Sequence, residues 1–223
     1  VSEAPVRLRQ RRVSWLSRSY LPYRALWPLL EEEIAAALAA RGTATPPLVL
    51  DLGCGEKPYA DLFGAARYVG LDYGVQGAAP DVVGSAEQLP FADGCADLVF
   101  STQVIEHLPN PQRLAQEAFR VLRPGGLLLL SGPFYWPLHE EPHDYYRFTP
   151  YGLRHLLGGA GFRVLRVRAD AGAVIQAAVG VIEVLPRSLV FLVPLLNLLA
   201  PWLQRLSRNE KSTLNYVVVA ARP

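Results

Sequence analysis

Cysteine is scarce in this chain of 223 residues: Cys54 and Cys95 are the only two, and they form no C-x-x-C pair. A disulfide framework is thereby excluded as the organising device, and a reduced, cytosolic setting is the expectation. An excess of one charge is also lacking. The formal net charge of +2 is too small to suggest nucleic acid as a partner, and none is expected. The N-terminal arginines are not followed by an apolar h-region or a small-residue cleavage site, so no secretory signal is expected, and Arg11 with Arg12 is not read as a twin-arginine signal. Internal repeats and low-complexity tracts are missing, and a hydrophobic share of 51% excludes a disordered chain.

What is present fits one well-buried domain with appendages. Residues 1–45 read as an N-terminal helical arm, in which Arg7, Arg9, Arg11, Arg12, Arg18 and Arg24 are interleaved with aromatic residues such as Trp15 and Trp27. Pro22 and Pro28 interrupt that pattern, so a helix is expected from Glu31 to Arg41, closed by Gly42. Residues 46–223 alternate short apolar runs with helical stretches, the signature of an α/β fold around a largely parallel sheet. Seven strands are expected: 48–52, 67–71, 81–83, 97–101, 127–131, 163–168 and 214–221. Helices are expected at 60–64, 111–122 and 150–159, and Pro124-Gly125-Gly126 supplies the turn into the fifth strand.

An apolar interval, about residues 169–213, precedes the last strand and is too long for a hairpin turn. Its greasiest piece, Leu189–Leu203, is shorter than the ~20 residues that cross a bilayer, and Pro186, Pro194 and Pro201 break the run. A simple transmembrane helix is therefore not expected. A helical insertion packed on the sheet or on a second copy of the chain is the plainer reading. A peripheral membrane contact or a greasy substrate tunnel is the sharper one, favoured by the shortage of charge and by the basic aromatic arm.

The stretch VLDLGCGEKPY, Val49–Tyr59, carries the most chemistry. An apolar strand ends in Asp51, and Gly53 and Gly55 permit a tight turn that lets backbone approach a ligand. Asp72 ends the next strand 21 residues after Asp51, a spacing that suits a carboxylate on the ribose hydroxyls of an adenosine-containing cofactor. A dinucleotide does not fit, because the third glycine of G-x-G-x-x-G is missing: Glu56, Lys57 and Pro58 follow Gly55. Asp51 also places negative charge where a dinucleotide carries its own, which suits a cationic ligand such as S-adenosylmethionine better.

With these residues in order, VLDLGCG, GLDY, SAEQLPFADGCADLVFS, QVIEHL and RVLRPGG, the chain resembles the class I S-adenosylmethionine-dependent methyltransferases, in the type 11-like group. The likeness covers roughly residues 48–131. It implies a Rossmann-like, seven-stranded, mostly parallel sheet with an antiparallel last strand, and S-adenosyl-L-methionine as cofactor. Carried over by motif position, Asp51, Gly53 and Gly55 would line its methionine part, Asp72 its ribose, Ser85, Ala86 and Glu87 its adenine, and Gln103 would close over it. Ser85 stands where many relatives have an aspartate, so the adenine contact would pass to Ser85, Glu87 or backbone.

Residues 139–148, HEEPHDYYRF, contain a literal H-E-x-x-H string. On a continuous helix that string would hold zinc, but Pro142 interrupts it at a cost of ~3 kcal/mol or more, so no metal is expected. The loop follows the fifth strand and can reach a ligand at the carboxyl edge of the sheet. Tyr135, Trp136, Tyr146 and Arg147 are expected on the acceptor, and His143, oriented by Asp144, as the catalytic base, with His107 as its competitor. An ion pair of Asp144 with Arg147 that pins the loop is the structural alternative. Similar P-H-D-x-x-R-F-T segments in this group resemble enzymes of cell-surface glycans and lipid-linked intermediates. The expected activity is methyl transfer, at oxygen, to a small-molecule, glycan-related or lipid-linked acceptor, in the cytoplasm or at the inner membrane face. A quinone or prenyl-tail C-methyltransferase, and a non-catalytic cofactor-binding module, are the alternatives. A homodimer is left open.

Overall fold

The computed structural model describes residues 13–40, 45–74, 79–207 and 211–223. The arginines at 7, 9, 11 and 12, and the expected helix end at Arg41-Gly42, lie outside the described residues.

Seven strands form one sheet in the order β3-β2-β1-β4-β5-β7-β6. They are β1 (Leu48–Leu52), β2 (Arg67–Asp72), β3 (Val82–Val83), β4 (Ala96–Thr102), β5 (Leu122–Pro133), β6 (Arg163–Ala169) and β7 (Asn215–Ala221). The pairs β1–β2, β1–β4, β2–β3 and β4–β5 are parallel, whereas β7 runs antiparallel to both β5 and β6. The central strands are nearly continuous apolar runs because helices cover both faces of a parallel sheet. Accordingly Leu50, Leu52, Val99, Leu128 and Leu130 pack with α2 (Pro111–Val121) and α3 (Pro150–Gly159) on one face. Val49, Leu98, Phe100 and Leu129 pack with α1 (Tyr20–Ala39) on the other.

Helix α1 begins earlier than the sequence suggests and passes through Pro28. Pro22 lies in the first turn, where backbone N–H groups have no helical partner in any case. Pro28 sacrifices one helical bond, a cost of ~3 kcal/mol. Burial of Leu21, Leu26, Leu29, Leu30 and Ile34 offsets it, each such side chain contributing roughly 1.5–3 kcal/mol. At the sheet edge, buried Glu33 accepts hydrogen bonds from Arg166 and Arg168 of β6, which fixes the helix in register on the strand.

The interval before β7 folds as α4 (Ala173–Val184), a 3-10 turn at Arg187–Leu192 and α5 (Val193–Leu206). The 3-10 turn runs directly into α5, so Arg187–Leu206 is a single 20-residue helical segment, long and apolar enough to cross a membrane by length and composition alone. The sequence reading, which took the prolines as breaks, missed this continuity; Pro194 sits in the first turn of α5, and Pro201 is accommodated inside it. One face is held to the protein. Asn197 is buried and donates to the carbonyls of Trp15 and Ser17, and Arg18 donates to the carbonyls of Ile182 and Leu185 at the end of α4. The other face leaves Phe191, Leu195, Leu198, Trp202 and Leu206 exposed.

Candidate functional site

The glycine turn leaves the carboxyl end of β1 and is fastened to β2 by backbone. The N–H groups of Gly53 and Cys54 both donate to the carbonyl of Leu71, at 2.8 and 3.1 Å, and Gly55 N–H donates to Asp72 Oδ2 at 2.8 Å. Gly53 needs its freedom: its φ is +75°, and a Cβ there would stand 2.3 Å from Val104 Cγ2. Gly70 is constrained too, because a Cβ there would meet Cys54 Sγ at 2.7 Å and press on the turn.

A cavity of 110 Å³ opens under this turn, lined by Asp51, Gly53, Cys54, Pro58, Tyr59, Thr102 and Gln103. Burial pushes the Asp51 carboxyl up to about 7, against the opposing effect of the hydrogen bond it accepts from Tyr68. Tyr68 carries no motif, and only its place on β2 opposite β1 reveals the contact. A buried carboxylate of this kind gains from a cationic group nearby, which is what the ammonium of S-adenosylmethionine offers. Asp72, also buried, accepts through Oδ2 from the turn. The donor set and the open turn therefore fit this cofactor. Ser85 Oγ lies 2.9 Å from the Tyr73 hydroxyl and accepts from Glu87 N–H, while Ala86 is buried. The Glu87 carboxylate accepts from Asn110 N–H at the start of α2, so it is partly committed to that helix. Gln103, at φ +55°, turns its amide to Ser131 Oγ and so bridges the ends of β4 and β5.

Cys54 is buried and its thiol is pushed up to about 12 by desolvation, which makes it inert. A larger cavity of 380 Å³ shares none of the turn's residues; Leu21, Arg24, Pro28, Glu32, Asp170 and Pro201 are among its walls, where the arm meets the insertion.

The loop after β5, residues 134–149, lies against the segment after β4. His107 Nδ1 is 2.7 Å from the carbonyl of His143, Tyr145 N–H donates to the carbonyl of Glu106, and the Tyr146 hydroxyl donates to that of Pro109. Residues 139–148 contain no helix. The expected pairing of His143 with Asp144 does not form. Neighbouring residues on this non-helical stretch point apart: His143 is exposed with Nδ1 3.1 Å from the Tyr145 hydroxyl, whereas Asp144 turns inward to His139.

Asp144 accepts from His139 N–H and lies 3.1 Å from His139 Nδ1, and it receives a two-pronged bond from Arg147 at 2.6 and 2.7 Å. Arg147, chiefly, holds the Asp144 carboxyl well below the usual carboxylate range. The remaining bonds of Arg147 go to the carbonyls of Trp136, Pro137 and Tyr146. Its five N–H donors are thus all used, so it pins the loop and has none left for the acceptor expected of it. Trp136 packs with the insertion, and Tyr135 sets its hydroxyl against Gly180 of α4.

The residues that sequence reasoning passed over are Glu106 and His139. Glu106 is fully buried, 3.8 Å from His107 Nε2, and the rings of His107 and His139 meet edge to face at 4.7 Å. Glu106 was visible in QVIEHL, directly after β4, but nothing in the string says that it points inward.

Comparison with known proteins agrees with this geometry. Residues 50–130 match a family model described as a methyltransferase domain. An "Uncharacterized methyltransferase" of Mycobacterium sp. (strain KMS) is 39% identical over 153 residues, covering 59% of this chain and 56% of the relative. A protein of Mycolicibacterium smegmatis named "Probable S-adenosylmethionine-dependent methyltransferase" is 38% identical over 133 residues, covering 52% of each. The chain thus spans about half the length of these curated relatives. Among solved structures, an S-adenosylmethionine-dependent methyltransferase of Mesorhizobium loti superimposes with a TM-score of 0.55 at 20% identity, covering 91% of this chain and all of that one. The cyclase SpnF does so with a TM-score of 0.57 at 17% identity, covering 87% of this chain and 80% of its own, so the architecture alone does not select a reaction. The family match adds what the architecture lacks: residues 50–130 are similar in sequence to a methyltransferase domain, as are the matched parts of the curated relatives.

Proposed function

We propose that this chain transfers a methyl group from S-adenosylmethionine to an oxygen of a small, glycan-related or lipid-linked acceptor. The observation that carries the reading is a juxtaposition. The segment after β4 contributes Gln103 to the wall of the glycine-turn cavity and, four residues on, His107 to the histidine cluster under the β5 loop.

When bound, the cofactor supplies an electrophilic methyl group on a sulfonium. The protein's share is then proximity, alignment and exclusion of water. Asp51 meets the ammonium and Asp72 the ribose, Ser85, Ala86 and Glu87 border the adenine, and Gln103 closes the cavity. The β5 loop, pinned by Arg147, walls the acceptor side. His107 replaces His143 as the group that takes the acceptor's proton. A carbonyl oxygen only accepts, so the bond to His143 keeps the His107 proton on Nδ1 and the lone pair on Nε2.

The lipid-linked acceptor has its own support in the exposed apolar face of Arg187–Leu206, which suits contact with lipid at the inner membrane face. Loss of flotation with anionic liposomes in a Phe191→Ser, Trp202→Ser variant is the expected result, and unchanged flotation would remove that part. The central test is calorimetric titration of the chain with S-adenosylmethionine and S-adenosylhomocysteine. One site per chain is expected, and absence of binding at high micromolar ligand would sink the proposal.

A further inference from the structure

We propose that Glu106, His107 and His139 bind one divalent first-row transition-metal ion at the carboxyl edge of the sheet. One ligand atom from each of these residues lies within 4.8 Å of the others, and Glu106 among them is fully buried. Two imidazole nitrogens with a carboxylate oxygen suit zinc, cobalt, iron or nickel, whereas calcium and magnesium prefer oxygen alone.

The histidines are set up as ligands by what holds their other nitrogens. His107 Nδ1 donates to the carbonyl of His143 at 2.7 Å, so Nε2 carries the lone pair. His139 Nδ1 lies 3.1 Å from Asp144 Oδ2, which also accepts from Arg147; with an accepting oxygen on that side, the proton of the neutral ring sits on Nδ1 and the lone pair on Nε2. A carboxylate or carbonyl behind each ligating histidine is the support that metal sites use to fix tautomer and ring orientation. Glu140 Oε2, 3.6 Å from His107 Nε2, offers a further oxygen on the same side.

The donor types point the same way: one carboxylate and two imidazoles, from two separate segments, are brought to one place. Tetrahedral donors with bonds of ~2.1 Å stand about 3.4 Å apart, so the cluster closes on an ion by side-chain movements of about 1 Å. This is not the site suggested by the H-E-x-x-H string. There His139 would pair with His143, whereas here it pairs with His107 from a different strand end, and His143 contributes only its carbonyl. Metal binding does not depend on methyl transfer. Its use would rest on the proposed O-methylation: with an ion bound, His107 Nε2 is a ligand and does not take the proton, and the ion instead lowers the pKa of an acceptor hydroxyl brought to it.

The test strips the chain with a chelator, then titrates it with zinc chloride by calorimetry and with cobalt chloride by visible absorption. One ion per chain is expected, with cobalt bands of a nitrogen-oxygen site. His139→Ala should weaken binding at least tenfold and Asp144→Asn about 10–100-fold, the usual loss for a supporting residue. His155→Ala, on exposed α3, should leave it unchanged. Glu106→Gln, isosteric, provides a second ligand variant should His139→Ala melt early. No stoichiometric binding, or equal affinity in His139→Ala, Glu106→Gln and the unaltered chain, would overturn the proposal. S-adenosylhomocysteine binding, measured on the same preparations, separates the two readings: its loss with metal binding intact removes the methyltransferase activity and spares the metal site, and the reverse outcome removes the metal site alone.

Discussion

The glycine turn and the β5 loop leave the same edge of the sheet, yet the first is held mainly by backbone, with one carboxylate, and the second mainly by side chains. The bonds that fasten the turn to β2 join residues within about twenty positions: Gly53 and Cys54 to Leu71, and Gly55 to Asp72. The loop depends on partners across the fold, His107 on His143 and Tyr146 on Pro109, with Arg147 clamping Asp144. Backbone turns tolerate side-chain change where no Cβ intrudes, whereas a side-chain clamp fails when one partner goes. The comparison teaches that the cofactor end should be robust in stability and sensitive in binding, and the acceptor end the opposite.

The sharpest way to break that contrast is at the histidines. His107→Ala should reduce methyl transfer ~10²–10⁴-fold, the usual share of a proton-accepting group, while His143→Ala stays within a few-fold. Steady-state rates with the true acceptor check this, and equal losses would restore His143 to the chemistry. Next comes the clamp. Arg147→Ala strands a buried carboxylate and should cost ~2–4 kcal/mol, below the full value for a buried pair because the guanidinium is partly exposed. Denaturant melts measure the cost, and hydrogen exchange should show faster opening over residues 134–149. Arg147→Lys should recover only part, because an ammonium cannot supply the two-pronged bond.

At the cofactor end, Asp72→Ala should weaken S-adenosylhomocysteine about 10–100-fold by calorimetry, from the loss of charge-assisted bonds. The melt should move little by comparison. The smallest expected effect is a pH dependence. Burial raises Asp51 from 3.8 to about 7, so folding favours its protonated form; that stabilising effect is full below 3.8 and is lost as pH rises through about 7. Binding of a cationic cofactor favours the ionised form instead, so affinity should improve about tenfold between pH 6 and pH 8. Asp51→Asn should flatten that profile, and a persisting slope would assign it to another group.

Most of the sheet was legible because apolar runs bounded by turn residues report burial directly: all seven expected strands overlap observed ones, six to within two residues at their ends, while β5 starts five residues early and includes Pro124-Gly125-Gly126, expected as the turn before it. The antiparallel β7 was legible only through the family likeness, since strand direction leaves no periodicity in the chain. Two helical readings failed for one reason. Proline lowers helix stability locally, but packing of α1 on the sheet and of α5 on the arm outweighs it at Pro28 and Pro201. The residues proposed to hold the cofactor lie on strand ends joined by short turns, so motif spacing was enough to propose them together.

By itself, then, the sequence determined the α/β class, the glycine turn and the acidic strand ends that suit S-adenosylmethionine, because these follow from short-range pattern and backbone chemistry. Only the tertiary structure decided which way each polar side chain of the β5 loop faces. Asp144 went to His139 and not to its neighbour His143, Arg147 spent its donors inside the loop, and Glu106 met two histidines from separate segments. The physical reason is that side-chain direction on an irregular segment is set by which distant groups can satisfy it, and that partner list exists only once the chain has folded.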